Sequence, residues 1–156
     1  MPAITPPSGV SHIAICVQDL DRSLVFYRDL VGCEVVKDEM QDTCTGGLPH
    51  VYKDRHARRR VVHLRYGEGA AAPVLVLTAH PDEPVSGEPI MLDQVGISHI
   101  SFTVYDVEAA TRTLIDEGVE TCGPVDAFKS ADGRIRTVFV RDPDGILVQF
   151  DEGLGG

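Results

Sequence analysis

Two stretches of this chain begin alike: Ser11-His-Ile-Ala-Ile-Cys-Val-Gln-Asp-Leu20 and Ser98-His-Ile-Ser-Phe-Thr-Val-Tyr-Asp-Val107. They align without a gap and set His12 over His99. A single histidine on a strand is usually a hydrogen-bonded structural residue. A pair at matched places in duplicated segments has a second use, because neutral imidazoles are ligands for divalent metal ions. Strand alternation places both of them. Ile13, Ile15 and Val17 fall on one side of the first stretch and His12 on the other; Ile100, Phe102 and Val104 stand the same way against His99. Near the C-terminus, Gln149 lies opposite Ile146, Val148 and Phe150. All three polar side chains therefore leave the apolar side of their strands.

The elements that must position them repeat as well. Each stretch passes into a helix-like run ending at glycine, Arg22 to Gly32 and Glu108 to Gly118, and then into the extended runs Cys33-Glu-Val-Val and Val119-Glu-Thr-Cys. Asp19 and Asp106 sit where an N-cap oxygen takes the first free helical amides. Gly32 and Gly118 sit where a left-handed residue closes a helix. Leu24, Tyr27, Leu30 and Val31 follow helical spacing, as do Val107, Ala110, Leu114 and Ile115. Strand, turn and helix in one repeated order mean duplication. Arg60 to Tyr66 and Val74 to Ala79 close the first half around Gly67-Glu-Gly-Ala70. Arg136 to Arg141 and Ile146 to Asp151 close the second around Asp142-Pro-Asp-Gly145, with a further turn at Asp132-Gly133. The expected fold is α+β: one structural domain of two βαβββ modules, residues 8–80 and 97–152. The linker, residues 81–96, holds three prolines and two glycines. Its length lets the modules pair within one chain or be exchanged between two.

Composition narrows the function. The 156 residues suit one domain, and 43% hydrophobic content gives it a core. A formal net charge of −10 and a pI near 4.9 argue against nucleic acid or anionic membrane as partner. No apolar run approaches the roughly 20 residues of a membrane span. Met1-Pro-Ala-Ile-Thr-Pro-Pro7 has neither the charged nor the apolar region of a secretory signal. Cys16, Cys33, Cys44 and Cys122 form no C-x-x-C and read as reduced thiols, so the expectation is a soluble cytoplasmic protein. No phosphate-binding glycine loop, Ser-His-Asp order or zinc-finger spacing occurs.

A His-Ile start to each half, Phe26-Tyr27-Arg28-Asp29 leading to Gly32, and Arg141-Asp-Pro-Asp-Gly-Ile-Leu-Val-Gln-Phe150 together resemble the vicinal oxygen chelate superfamily. This is the group of glyoxalases, bleomycin-resistance proteins and extradiol dioxygenases, and the resemblance spans about residues 10 to 152. It implies paired modules curling into one open mixed β-barrel, a homodimer, and a divalent metal inside. Carried over, the first-strand ligands fall on His12 and His99. The last-strand ligand of the second module, usually glutamate, falls on Gln149. The matching place in the first module falls on Val76, or on Leu77 if the register slips, and neither binds a metal. A three-ligand set with an amide for the carboxylate is similar to that of extradiol dioxygenases and manganese-dependent fosfomycin-resistance transferases. Iron(II) or manganese(II) is the favoured ion, with zinc, nickel or magnesium also compatible.

Other residues join the expected cavity. On the strand from Arg60, Val61, His63 and Arg65 share one face, and Val62 and Leu64 the other. His63 is the candidate acid–base residue. Arg65, Thr137 and Phe139 are candidate substrate contacts. The basic island Tyr52-Lys-Asp-Arg-His-Ala-Arg-Arg-Arg60 reads as a solvated loop and strand edge, or else as a rim attracting an acidic or phenolate substrate. Cys16 falls where it can line the cavity, and reads as a small core thiol ahead of a nucleophile, because no helix N-terminus or cationic partner is evident. The leading function is a metal-dependent enzyme acting on a small oxygen-rich, aromatic or non-aromatic molecule, oxygenase-like ahead of isomerase or lyase. The alternative is a metal-free protein that sequesters an aromatic antibiotic or metabolite, which keeps the barrel but typically loses the histidine pair. A structural relative without a small-molecule role ranks below both.

Overall fold

Pleating organises the first module. In the computed structural model, which describes residues 7–69 and 72–153, strand β1 (His12–Cys16) runs parallel beside β4 (Val74–Ala79). On the other edge of β4 lies antiparallel β3 (Arg58–Arg65), and outside it β2 (Glu34–Asp42). The sheet order is β1-β4-β3-β2. Paired residues share a face, so the register gives three rows: His12, Val74 and Arg65; Ala14, Val76 and His63; Cys16, Thr78 and Val61. Rows on the opposite face join Ile13 to Leu75 and Leu64, and Ile15 to Leu77 and Val62. Leu64, Leu75, Leu77 and Val62 are wholly buried, each worth about 1.5–3 kcal/mol relative to exposure. Residues 1–6, read above for a signal, and Ala70 of the expected first-module turn lie outside the described residues.

The helix that covers this apolar face departs from expectation. Asp19 caps it as foreseen, its Oδ1 accepting from Arg22 N at 3.0 Å. The regular helix α1 spans only Leu20–Leu24. From Val25 to Leu30 the winding widens to i→i+5, with Val31 N donating to Phe26 O at 2.9 Å. In this wide turn the neighbours Phe26 and Tyr27 are both buried, their rings edge to face at 4.9 Å. Gly32 ends the element at φ 90°, a conformation that Cβ penalises in other residues.

The second module is shorter. Strand β5 (His99–Thr103) runs parallel beside β7 (Leu147–Asp151), and β6 (Thr137–Arg141) is antiparallel to β7. One face carries His99 beside Leu147 and Arg141; Ser101 beside Gln149 and Phe139; and Thr103 beside Asp151 and Thr137. The other carries Ile100, Val148 and Val140, then Phe102, Phe150 and Val138. Helix α2 (Val107–Asp116) is capped by Asp106, which accepts from Ala109 N at 2.9 Å. It buries Val107, Thr111 and Leu114, while Ile115, expected inside, is exposed. The extended run expected at Val119 to Cys122 is reduced to one bridge, Thr121 to Val140. Gly118 and Gly123, both at positive φ, and Pro124 leave no room for a longer strand. At the last turn Asp142 Oδ1 accepts from Asp144 N and Ile146 N, and Gly145 takes φ 87°.

The class is therefore α+β with two βαβββ-like modules. They form two units meeting in sequence at Ser86 and Gly87. Among the described residues no helix is long and apolar enough to cross a membrane.

The register makes a stability prediction. Phe102 is 7% exposed and stacks on Phe150 at 5.9 Å, so Phe102→Ala should cost about 3–5 kcal/mol. Its neighbour Ser101 lies on the polar face and donates only to Asp151, so Ser101→Ala should cost about 1 kcal/mol or less. Chemical denaturation of both variants checks this; equal losses would contradict the assigned faces.

Candidate functional site

Each module presents its histidine in the same way. Ser11 Oγ is 2.9 Å from His12 Nδ1, and Ser98 Oγ is 2.8 Å from His99 Nδ1. In both, Nδ1 is engaged by the preceding hydroxyl, and Nε2 has no hydrogen bond among the described residues. A partner on one ring nitrogen fixes the imidazole and directs the other nitrogen toward a ligand. The two serines recur visibly in the sequence, but their role shows only in the geometry.

In the second module His99, Gln149, Phe139 and Thr137 share a face. Gln149 Nε2 donates to Thr137 Oγ1 at 2.7 Å, which leaves Oε1 as the outward acceptor. An amide binds a cation through that oxygen. Thr137 thus orients Gln149, and Phe139 sets its ring edge to face with His99 at 5.2 Å. In the first module the pairing of Ala14 with Val76 matches that of Ser101 with Gln149. Val76, not Leu77, is therefore the counterpart of Gln149, and it is buried and apolar. His63 lies beside it, where the second module has Phe139.

His63 and Arg65 share the face of His12. Burial lowers the pKa of His63 below its ordinary 6.5, helped by the charges of Lys37 and His12 and opposed by Glu39. The ring is held neutral, as a base requires. Arg65 lies 3.7 Å from Glu34, a loose pair that leaves the guanidinium half-exposed. Among the described residues no three or more His, Cys, Asp or Glu side chains gather as a cation site. Two imidazoles and an amide oxygen are donors that first-row divalent ions accept.

One expectation is corrected: Cys16 is not a core thiol, because it is exposed and its Sγ lies 3.8 Å from His80 Nδ1. The basic island is largely exposed, as expected of a solvated loop and strand edge, and its Tyr52, Lys53, Asp54, His56 and Arg59 also line a cavity of about 350 Å³. The missed signal was alternation running past β4, which sets His80 on the side of Thr78.

The sequence pattern of the Glyoxalase/Bleomycin resistance protein/Dioxygenase superfamily matches residues 9–150, and the chain belongs to that superfamily. It is 27% identical, over 90% of its own length, to the lactoylglutathione lyase of Schizosaccharomyces pombe, and spans 46% of that protein. The glyoxalase family protein from Bacillus cereus superposes with a TM-score of 0.76 at 18% identity, covering 99% of this chain and 100% of that one. An antibiotic-binding protein from Streptomyces sp. CB03234 gives a TM-score of 0.58 at 22% identity, covering 95% and 98%. These last two likenesses speak to fold alone.

The neutral state of His63 has a pH consequence. With the folded pKa lowered, the unfolded chain binds more protons between that value and 6.5, so stability falls as pH drops through this window. His63→Gln should make the acid side of the denaturation-midpoint profile shallower. An unchanged profile in metal-free protein would mean that the imidazole titrates alike in both states.

Proposed function

We propose that this protein is a divalent-metal-dependent enzyme acting on a small molecule with two adjacent oxygens, with His12, His99 and Gln149 as ligands. The observation that supports this most is the repeated serine–histidine hydrogen bond, which leaves Nε2 available in both modules. Gln149, held by Thr137 through its nitrogen, offers its oxygen. A bound divalent ion supplies Lewis-acid polarisation of a chelating pair of substrate oxygens. His63 takes or returns a proton from the same side as His12, and Arg65 attracts an anionic substrate. Phe139 provides an aromatic wall beside His99. Three donors instead of four favour an oxygenase-type reaction with iron(II) or manganese(II); the likeness to a lactoylglutathione lyase favours isomerase or lyase chemistry as the next choice.

The second reading is metal-free capture of an aromatic antibiotic or metabolite. Apolar Val76 in a ligand position and the Phe139 ring support it.

Metal analysis separates the two. Protein purified without chelators or added metals should carry about one divalent ion per chain, and His12→Ala or His99→Ala should abolish it while unfolding stays cooperative. Full retention in the double variant would end the metal assignment. Gln149→Glu should tighten metal binding, because a carboxylate adds Coulomb attraction that an amide lacks. In a metal-free pocket the same change meets no cation and lowers stability, which added manganese or iron(II) would not restore.

A further inference from the structure

At the end of β1, away from the proposed ligands, three side chains form a hydrogen-bonded chain. Cys16 Sγ lies 3.8 Å from His80 Nδ1, and His80 Nε2 lies 2.8 Å from Tyr52 Oη. All three line the cavity of about 350 Å³, together with His56 and Arg59. The fold builds this from two directions. Cys16 pairs with Thr78 across the sheet, and His80 follows two residues later on the same side. Tyr52 descends from the connection between β2 and β3.

The other thiols serve as internal controls. Cys33 is buried, and burial pushes its pKa up to about 11. Cys122 is half-buried and is raised by the same cause. Cys44 is exposed, but its sulfur meets the carbonyl oxygens of His56 and Ala57 at 3.7 and 3.8 Å. Cys16 alone of the four combines exposure with a hydrogen-bonded imidazole. A thiol becomes a nucleophile when a base removes its proton and nearby cations favour the thiolate.

The cavity walls hold both a base and a cation. Of three consecutive arginines, Arg58 pairs with Asp82 at 2.7 Å, and Arg60 pairs with Asp21 and Asp38, both at 2.7 Å. Arg59 between them donates to the neutral amide oxygen of Gln41, at 3.1 and 2.9 Å. Among the described residues no carboxylate pairs with its charge, and Arg59 is a wall of the cavity. The His56 side chain is 9% exposed, with Nδ1 unpaired by any hydrogen bond and 3.8 Å from Glu83. Its ring lies 4.4 Å from that of His80. Burial, His56 and Arg59 together lower the pKa of His80, so the resting imidazole is neutral and a proton taken from Cys16 is held weakly and readily passed on. Lys53 and Asp54 complete the charged lining.

We propose that Cys16, His80 and Tyr52 form a nucleophilic thiol site that adds to small α,β-unsaturated carbonyl compounds. A soft carbon suits the sulfur, and a carbonyl oxygen suits the unneutralised guanidinium of Arg59. His80 Nδ1 takes the proton of Cys16 while its Nε2–H donates to Tyr52. A sulfur–carbon bond forms at the β-carbon, and the π pair moves onto the carbonyl as an enolate facing Arg59. His80 then returns the proton to the α-carbon. The net change is addition of a thiol across a double bond, with no oxidant and no leaving group. None of His12, His99 or Gln149 takes part, so this proposal stands or falls apart from the metal reading.

Acrylamide, an α,β-unsaturated amide, tests it on the intact protein, with adducts at each cysteine followed in time by peptide mass spectrometry. Cys16 should react at least about tenfold faster than Cys44, which is also exposed, in the parent. His80→Gln should slow Cys16 by a similar factor and move its pH profile upward, while Cys44 in the same molecules keeps its rate and reports an intact fold. Tyr52→Phe should slow Cys16 less, because it removes an orienting partner and leaves the base. A Cys16 rate no higher than that of Cys44 in the parent would overturn the proposal, and that comparison needs no variant. An unchanged rate and pH profile in folded His80→Gln would overturn it equally.

Discussion

In each module the last strand is inserted between the first strand and the one before it. β4 is parallel to β1 and antiparallel to β3, and β7 stands the same way between β5 and β6. Backbone amides and carbonyls on both edges of the inserted strand are thereby satisfied, and its pairing dictates which side chains on three strands become neighbours. A slip of one residue would turn His63 or Gln149 into the helix-covered core and bring leucine or valine to the polar face. The cost of burying an unpaired imidazole or amide forbids that slip. The chemistry open to this chain thus rests on apolar packing against α1 and α2.

Much of this was legible in the residues. Strand alternation predicted the faces of His12, His99, Gln149 and His63, because one-sided burial leaves a period-two signature. The caps at Asp19 and Asp106 and the turn at Asp142 were legible for a similar local reason: each is a side-chain oxygen accepting amides a few residues ahead. What stayed hidden was non-local. The wide turn at Val25–Leu30 depends on packing of Phe26 and Tyr27. The loss of a full strand near Thr121 reflects glycines on both sides that a short extended run does not announce. The Cys16–His80–Tyr52 chain joins residues from three separate segments, and no spacing rule brings them together.

The modules have diverged where duplication would keep them equal. The first has Val76 beside His63; the second has Gln149 beside Phe139. An imidazole and a valine in the first stand where the second has an aromatic ring and an amide. Two copies of one frame therefore present different chemistry to whatever lies against them. Membership of the superfamily alone therefore leaves the reaction open.

The inserted strand also carries a kinetic consequence. Antiparallel β2, β3 and β4 can form by successive reversals, whereas pairing His12 with Val74 requires the intervening segment to be closed first. The first strand of each module is therefore expected to dock last, onto an edge already assembled. Until it docks, that edge is a row of open amides and carbonyls, equally able to receive the first strand of another nascent chain. The period before closure is when this protein is most exposed to strand exchange, and expression at high chain concentration lengthens the odds against correct pairing.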